Sequence, residues 1–265
     1  MIIDNHAHLS TYTNEGLSYT AIRDRLLETM SAVGVTLSCI LPDSEPGTAV
    51  ADMETVLNAV SGFPSLKPLG SVSVPAMSGA DIERLENLAA TGRICGVKLY
   101  PGFEEFYPAD AECRPLYEMC IRQGIPVIYH SGETMNEQWR EEYNHPWEIA
   151  HVAERMPELN IIVAHFSQPH LEACREIVLR FPSVHADISG LAHPTTIGLC
   201  GLPAIKEILE DTINKQPDKV LFGTDWPVCD ITEHIRLVDS LKIKGEARNL
   251  VFSGNAKRLF RIKST

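Results

Sequence analysis

Met1-Ile-Ile-Asp-Asn-His-Ala-His8 opens the chain. If Ile2 and Ile3 begin a β-strand, its period of two sets the His6 and His8 side chains on one side, at the C-terminal end. That is the geometry of a bidentate metal ligand. In a chain with ten histidines, an isolated H-x-H pair is equally what two surface histidines near a terminus look like. Its meaning therefore depends on whether further ligands arrive at the ends of other strands.

Working outward, residues 17–33 carry Ile22, Leu26, Met30 and Val33 at helical spacing, with Gly34 as a stop, before the buried-type run Val35-Thr-Leu-Ser-Cys-Ile-Leu41. The pattern then repeats. Helical periodicity at 49–61, 80–91, 110–123, 147–156 and 170–181 alternates with short apolar runs at 67–74, 95–100, 125–130, 160–165 and 184–188. A further helix leads to Lys219-Val-Leu-Phe-Gly-Thr-Asp225, and helices near 232–242 and 246–260 close the chain. Eight strands, each followed by a helix, without a linker between them, predict an α/β fold, a single (β/α)8 barrel over residues 1–265. The alternative, a doubly wound sheet, has no Gly-rich fingerprint after its first strand.

Composition bounds the function classes. Hydrophobic residues make up 44% and charged residues 22%, and the net charge is −12. An acidic balance argues against nucleic acid or an anionic membrane as the main partner, because both need a basic face. No apolar run approaches a membrane span, and a cleaved leader would remove His6 and His8. The seven cysteines are odd in number and never in a C-x-x-C pair, which suits reduced core thiols and a cytoplasmic protein.

In a barrel of this type the active site is built at the C-terminal ends of the strands. The polar residues that end the apolar runs are His6 and His8 on the first strand, Lys98 on the fourth, His130 on the fifth, His165 on the sixth and Asp225 on the eighth. A histidine at the end of one strand is unremarkable; the whole set at equivalent places is the signal. Zn2+ takes neutral imidazole and carboxylate, as do Mn2+ and Fe2+, and a catalytic site keeps a position open for water. Three histidines and one aspartate leave a net charge of about +1, enough to lower that water's pKa toward roughly 7. A nearby imidazole or carboxylate can then move the proton. Gly96 and Gly223 precede Lys98 and Asp225 by two residues, which either leaves space beneath the site or answers a packing need.

With these segments in view the chain resembles a family. Its D-x-H-x-H start, G-V-K-L-Y-P at 96–101, P-V-I-Y-H-S-G at 126–132, I-V-A-H at 162–165, F-G-T-D-W-P at 222–227 and G-N-A-K-R-L-F at 254–260 are similar to the amidohydrolase superfamily. The matching branch is the metal-dependent TIM-barrel hydrolases (amidohydrolase 2) that include amino-carboxymuconate-semialdehyde decarboxylase. The resemblance implies His6, His8 and His130 as metal ligands and Asp225 as the last ligand or the base. His165 would polarise the substrate or move a proton in a one-metal site. In a two-metal site it would bind a second ion, bridged by a carboxylated Lys98. Uncarboxylated, Lys98 would instead pair with an acidic group of the substrate.

Many superfamily members carry a flanking β-sandwich, and none is expected here with His6 so near the start. The branch mixes chemistries on one motif set. The favoured expectation is a metal-dependent hydrolase in which an activated water cleaves an amide, cyclic amide, ester or lactone. The runner-up is a non-oxidative decarboxylase of a small unsaturated or aromatic carboxylate; a metal-free lactonase or a catalytically silent ligand-binding barrel follows. Candidate contacts to a small-molecule substrate are Lys98, Tyr100, Glu133 and Trp139 of the loop after His130, His193 and Trp226. His145, His151, His170, His185 and His234 are read as structural. A homo-oligomer is compatible with a bare barrel.

Overall fold

The apolar runs become short parallel strands in the computed structural model, which describes residues 1–133 and 140–263. In chain order the barrel strands are Ile2–Ala7, Val35–Ile40, a third in two pieces, Val97–Leu99, Val127–Tyr129, Ile161–Val163, Val184–Asp187 and Val220–Leu221. Each pairs with its sequence neighbour in parallel, as right-handed β–α–β connections require.

The third strand departs from the single run expected at 67–74. Leu66–Pro68 pairs with the second strand, and Gly70–Ser71 pairs with the fourth. Proline has no N–H to donate, and the switch falls beside Pro68: Leu69 donates to the Ile40 carbonyl (2.9 Å) and Gly70 to the Gly96 carbonyl (2.9 Å). The strand expected to run to Val74 ends at Ser71, and a single 3-10 turn, Val74–Ala76, follows.

Backbone bonds from the eighth strand to the first close the ring. Asn5 donates to the Phe222 carbonyl (3.0 Å), Asp225 to that of His6 (2.8 Å) and His8 to that of Trp226 (2.7 Å). The surrounding helices follow the expected periodicity and stop signals. Tyr19–Val33 is N-capped by Ser18 and ends at left-handed Gly34; Arg114–Gln123 ends at left-handed Gly124.

Two apolar layers result. The larger lies between strands and helices. The smaller fills the barrel interior with Ile3, Leu37, Leu69, Ile128, Ile162 and Leu221, and Ala256, Leu259 and Phe260 from the C-terminal helix Asn255–Leu259 and the residue after it pack against them. A Cβ at Gly96 would lie 3.4 Å from Phe260 Cε1 and 3.1 Å from the Pro126 carbonyl. Packing at this end therefore accounts for Gly96.

Phe260 seals the end of the barrel opposite the strand termini, so Phe260→Ala is expected to cost about 3–5 kcal/mol in urea unfolding. Divalent-metal affinity should be unchanged in the same variant.

Candidate metal centre

The first strand is irregular between Asp4 and Ala7. Ala7 packs in the strand–helix layer, while the buried side chains of His6 and His8 turn toward the eighth strand. Asp4 locks this arrangement from below. Its carboxylate accepts from the His6 N–H (3.1 Å), the Thr224 N–H (3.0 Å) and the Thr224 hydroxyl (2.6 Å). Burial pushes the Asp4 carboxyl up to about 7 against these donors. Gly223 is the companion requirement, since a Cβ there would sit 3.0 Å from both His6 Cβ and Asn5 Oδ1. This is the glycine that keeps room under the histidines.

The ring nitrogens show what the site is built to hold. His8 Nδ1 lies 2.8 Å from the Leu41 carbonyl, which can only accept, so Nδ1 carries the proton and Nε2 the lone pair. His6 Nδ1 lies 2.8 Å from Asp187 Oδ2, with the same consequence. His8 Nε2 is then 3.3 Å, and His6 Nε2 3.8 Å, from Asp225 Oδ1. Ligand atoms of His6, His8 and Asp225 all lie within 4.8 Å of one another. With both rings in the neutral form that ligation uses, two lone pairs and a carboxylate oxygen face each other, and His6 Nε2 has no hydrogen-bond partner among the described residues. A divalent cation fits this donor set.

The electrostatics agree. Burial lowers His6 to about 3 despite Asp187 beside it, so the imidazole is neutral, as ligation needs. Burial acts to raise the Asp225 carboxyl; a hydrogen bond from His8 and positive charge on His165, His8 or His6 act to lower it and outweigh burial where those rings are protonated.

His130 and His165 extend the cluster. Ring centroids are 4.8 Å apart for His6–His165 and 5.1 Å for His130–His165. Burial lowers the pKa of both, with Lys98 adding to the effect. His130 Nε2 is buried without a partner among the described residues. Its ring lies beside those of Tyr100 (6.4 Å, stacked) and Phe103 (4.9 Å, edge-on), and the Tyr100 hydroxyl donates to the Pro42 carbonyl at 2.7 Å.

His165, Phe166 and Ser167 have φ of 59°, 47° and 54°, and Asp225 has 68°. Left-handed backbone costs about 1–2 kcal/mol per non-glycine residue. It persists because its surroundings dictate it: the His165 N–H donates to Asp187 Oδ1 (3.0 Å), Phe166 is fully buried, and the Ser167 and Ser131 hydroxyls are 2.6 Å apart.

Lys98 is only 1% exposed, its Nζ is unpartnered among the described residues, and it lies 5.0 Å from the Tyr100 ring centroid. Burial lowers its pKa to about 8, opposed by Asp187, Asp225 and Asp43.

The sequence reading missed Asp187 and Ser189. Asp187 is fully buried and accepts from His6 and from Asn5 Nδ2 (3.2 Å), as well as from the His165 and Ser189 backbone. Reading the polar residue at each strand end would have found it, but the apolar Ile188 that follows conceals where the seventh strand stops. The remaining candidates are dispersed. The Glu133 side chain is exposed while its N–H donates to the Gln168 carbonyl (2.7 Å). Trp139 lies outside the described residues. His193 N-caps the helix Pro194–Cys200, and Trp226, 7% exposed, packs in the strand–helix layer. His145 caps the helix Pro146–Arg155, and His185 and His234 are buried against backbone groups, as a structural reading expects.

Comparison with known proteins follows the same line. No curated protein matches the sequence. Among solved structures, an uncharacterised TIM-barrel protein from Bordetella bronchiseptica is similar at 22% identity and a TM-score of 0.80, covering 98% of each chain. A probable 2-pyrone-4,6-dicarboxylic acid hydrolase from Acinetobacter baumannii aligns at 17% identity and 0.69, covering 98% of this chain and 99% of that one. A dihydroxybenzoic acid decarboxylase from Polaromonas, solved with bound manganese, aligns at 15% and 0.67, covering 100% and 98%. At such identities the likeness concerns the fold. The amidohydrolase family model Amidohydro_2 matches residues 3–262, and the chain belongs to that family, whose members are enzymes.

Proposed function

We propose that residues 1–265 form one catalytic unit, a metal-dependent hydrolase that opens a C–O or C–N bond, in a lactone, ester or cyclic or open amide, of a small molecule bearing a carboxylate. The observation that carries this reading is the convergence of His6 Nε2, His8 Nε2 and Asp225 Oδ1 in a cluster that includes His165 and the buried Lys98 Nζ, which has no hydrogen-bond partner among the described residues.

His6, His8, His130 and Asp225 would hold one divalent ion, with Zn2+ suited to these donors and Mn2+ or Fe2+ as alternatives. When bound, the ion supplies Lewis acidity that lowers the pKa of a water toward roughly 7. His165, buried beside His6, would accept a proton from a water at the site, and the Asp225 carboxylate would orient that water. Lys98 pairs with the substrate carboxylate, and Tyr100 and Phe103 offer aromatic faces beside His130. The cluster His6, His165 and Asp187 is not read as an ion site, since His6 Nδ1 bonds Asp187 and His165 Nδ1 bonds Ser189; a single ion follows from reading Lys98 as the cation that pairs with substrate rather than as a carboxylated bridge. The seven free cysteines support a cytoplasmic setting. No helix among the described residues is long and apolar enough to cross a membrane.

Decarboxylation is a second reading. It is favoured by the same Lys98 ammonium, which would hold a carboxylate against the ion, and by the similarity to the manganese-bound decarboxylase.

Zn2+-loaded protein incubated with carboxylate-bearing lactones, cyclic amides, esters and aromatic acids is expected to release the hydrolysis product without carbon dioxide; trapped carbon dioxide transfers the assignment to decarboxylation. Asp225→Asn should lower turnover by at least about 10²-fold, since it removes a charged ligand and the group that orients the water, with an unchanged circular dichroism spectrum. Lys98→Met should reduce kcat/KM for the carboxylate substrate by roughly 10–100-fold, the worth of a charged hydrogen bond, and leave its methyl ester nearly unaffected. Metal analysis should return one ion per chain, and the Lys98 peptide, handled to preserve carbamates, the mass of a free amine. Two ions with a carboxylated lysine would overturn the single-ion arrangement.

A further inference from the structure

We infer that Asp187 and Ser189, on the seventh strand and the residue pair beyond it, act as positioning residues that set the tautomers of two histidines at once, His6 and His165. The roles these histidines then play rest on the metal-and-base reading above; the tautomers do not.

The Ser189 hydroxyl has one proton, and it donates that proton to Asp187 Oδ1. Toward everything else the oxygen can only accept. His165 Nδ1 lies 2.8 Å from that oxygen and 3.3 Å from the Ser189 carbonyl. Two acceptors on one ring nitrogen require that it carry a hydrogen, so in the neutral ring His165 Nε2 is the lone pair. His6 Nδ1 is in the same position, 2.8 Å from Asp187 Oδ2 and 3.1 Å from Ser189 Oγ. Its Nε2 is therefore also unprotonated. One carboxylate and one hydroxyl, both fully buried, thus turn a ligand and a base the same way, with Nδ1–H inward and Nε2 free.

Asp187 is fit for this task because it is saturated with donors. Asn5 Nδ2 (3.2 Å), the His165 N–H (3.0 Å), the Ser189 N–H (3.0 Å) and the Ser189 hydroxyl join His6 on its two oxygens. A carboxylate so supplied has each oxygen engaged by donors from several segments, so turning it would break more than one hydrogen bond. The bond to the His165 N–H also fixes the left-handed backbone at that residue, so the same group orients both the ring and the chain that carries it. Gly190, with φ of 75°, passes beside the ring: a Cβ there would lie 3.5 Å from His165 Nδ1. The consequence for chemistry is directional. Resting His165 takes a proton at Nε2 before it can give one, so it enters the cycle as a base.

The test reads tautomers directly. Long-range 1H–15N correlation spectra of histidine-labelled protein, assigned with single-histidine variants, are recorded on chelator-treated and Zn2+-loaded samples. Nδ1–H signatures for both His6 and His165 in the wild type are expected in both samples, and an Nε2–H form of either in the chelator-treated protein overturns the proposal. Ser189→Ala should release His165 into a tautomer mixture while His6 keeps Nδ1–H and Zn2+ affinity stays within a few-fold; an unchanged His165 signal overturns the role of Ser189. Asp187→Asn should weaken Zn2+ binding, measured by chelator competition, by about 10–100-fold, the usual cost of losing a partner behind a ligating histidine. An unaltered affinity in folded Asp187→Asn overturns the role of Asp187. If that variant does not fold, the wild-type and Ser189→Ala spectra decide. Wild-type protein that shows both Nδ1–H tautomers yet binds no Zn2+ upholds this inference and removes the metal reading instead.

Discussion

Three acceptor atoms without a proton, His6 Nε2, His8 Nε2 and Asp225 Oδ1, meet where the last strand of the barrel is bonded to the first. Much of the site follows from holding them there. Like partial charges at such distances repel, and in a buried setting the repulsion is weakly screened. The framework must therefore supply what the atoms themselves do not, and a cation completes the arrangement. The Leu41 carbonyl and Asp187 force the two lone pairs inward, and Asp4 ties the strands that carry them.

The closure of the barrel and the assembly of the site are consequently one event. The bonds that seal the ring, between residues 5–8 and 222–226, are made by the residues that carry or adjoin the ligands. Gly223 permits the close approach that this needs, and the left-handed Asp225 turns its carboxylate back over His6. Stability is drawn from elsewhere, from the apolar barrel interior and the helix layer. This separation of an apolar body from a strained polar rim is how a fold can tolerate unfavourable backbone at residues 165–167 and 225.

Much of this was legible in the residues. Strand–helix alternation predicts the barrel because apolar periodicity and glycine or proline stops are local signals, and they recur along the whole chain. The strand-end polar residues likewise single out His6, His8, Lys98, His130, His165 and Asp225, which the structure gathers at one mouth. The bent third strand was not legible, since which neighbour a short strand pairs with depends on barrel curvature. Asp187 was passed over because its partner, His6, is 181 residues away. Trp226 stood beside a candidate ligand in sequence, yet packs in the strand–helix layer, because the left-handed backbone at Asp225 turns the chain between them.

The amino-acid sequence by itself determined the repeat, the strand ends and the chemical types placed there, because these depend on local periodicity and on what each side chain can bind. Only the tertiary structure decided which nitrogen of each histidine faces the site, that Lys98 Nζ is buried without a hydrogen-bond partner among the described residues, and that one carboxylate at the end of the seventh strand and one hydroxyl just beyond it contact both His6 and His165. Those outcomes depend on hydrogen bonds between segments far apart in the chain, made when the ring closes. The H-x-H pair at residues 6 and 8 is therefore a ligand pair in composition from the start, and in geometry only once Asp187, Leu41 and Asp225 surround it.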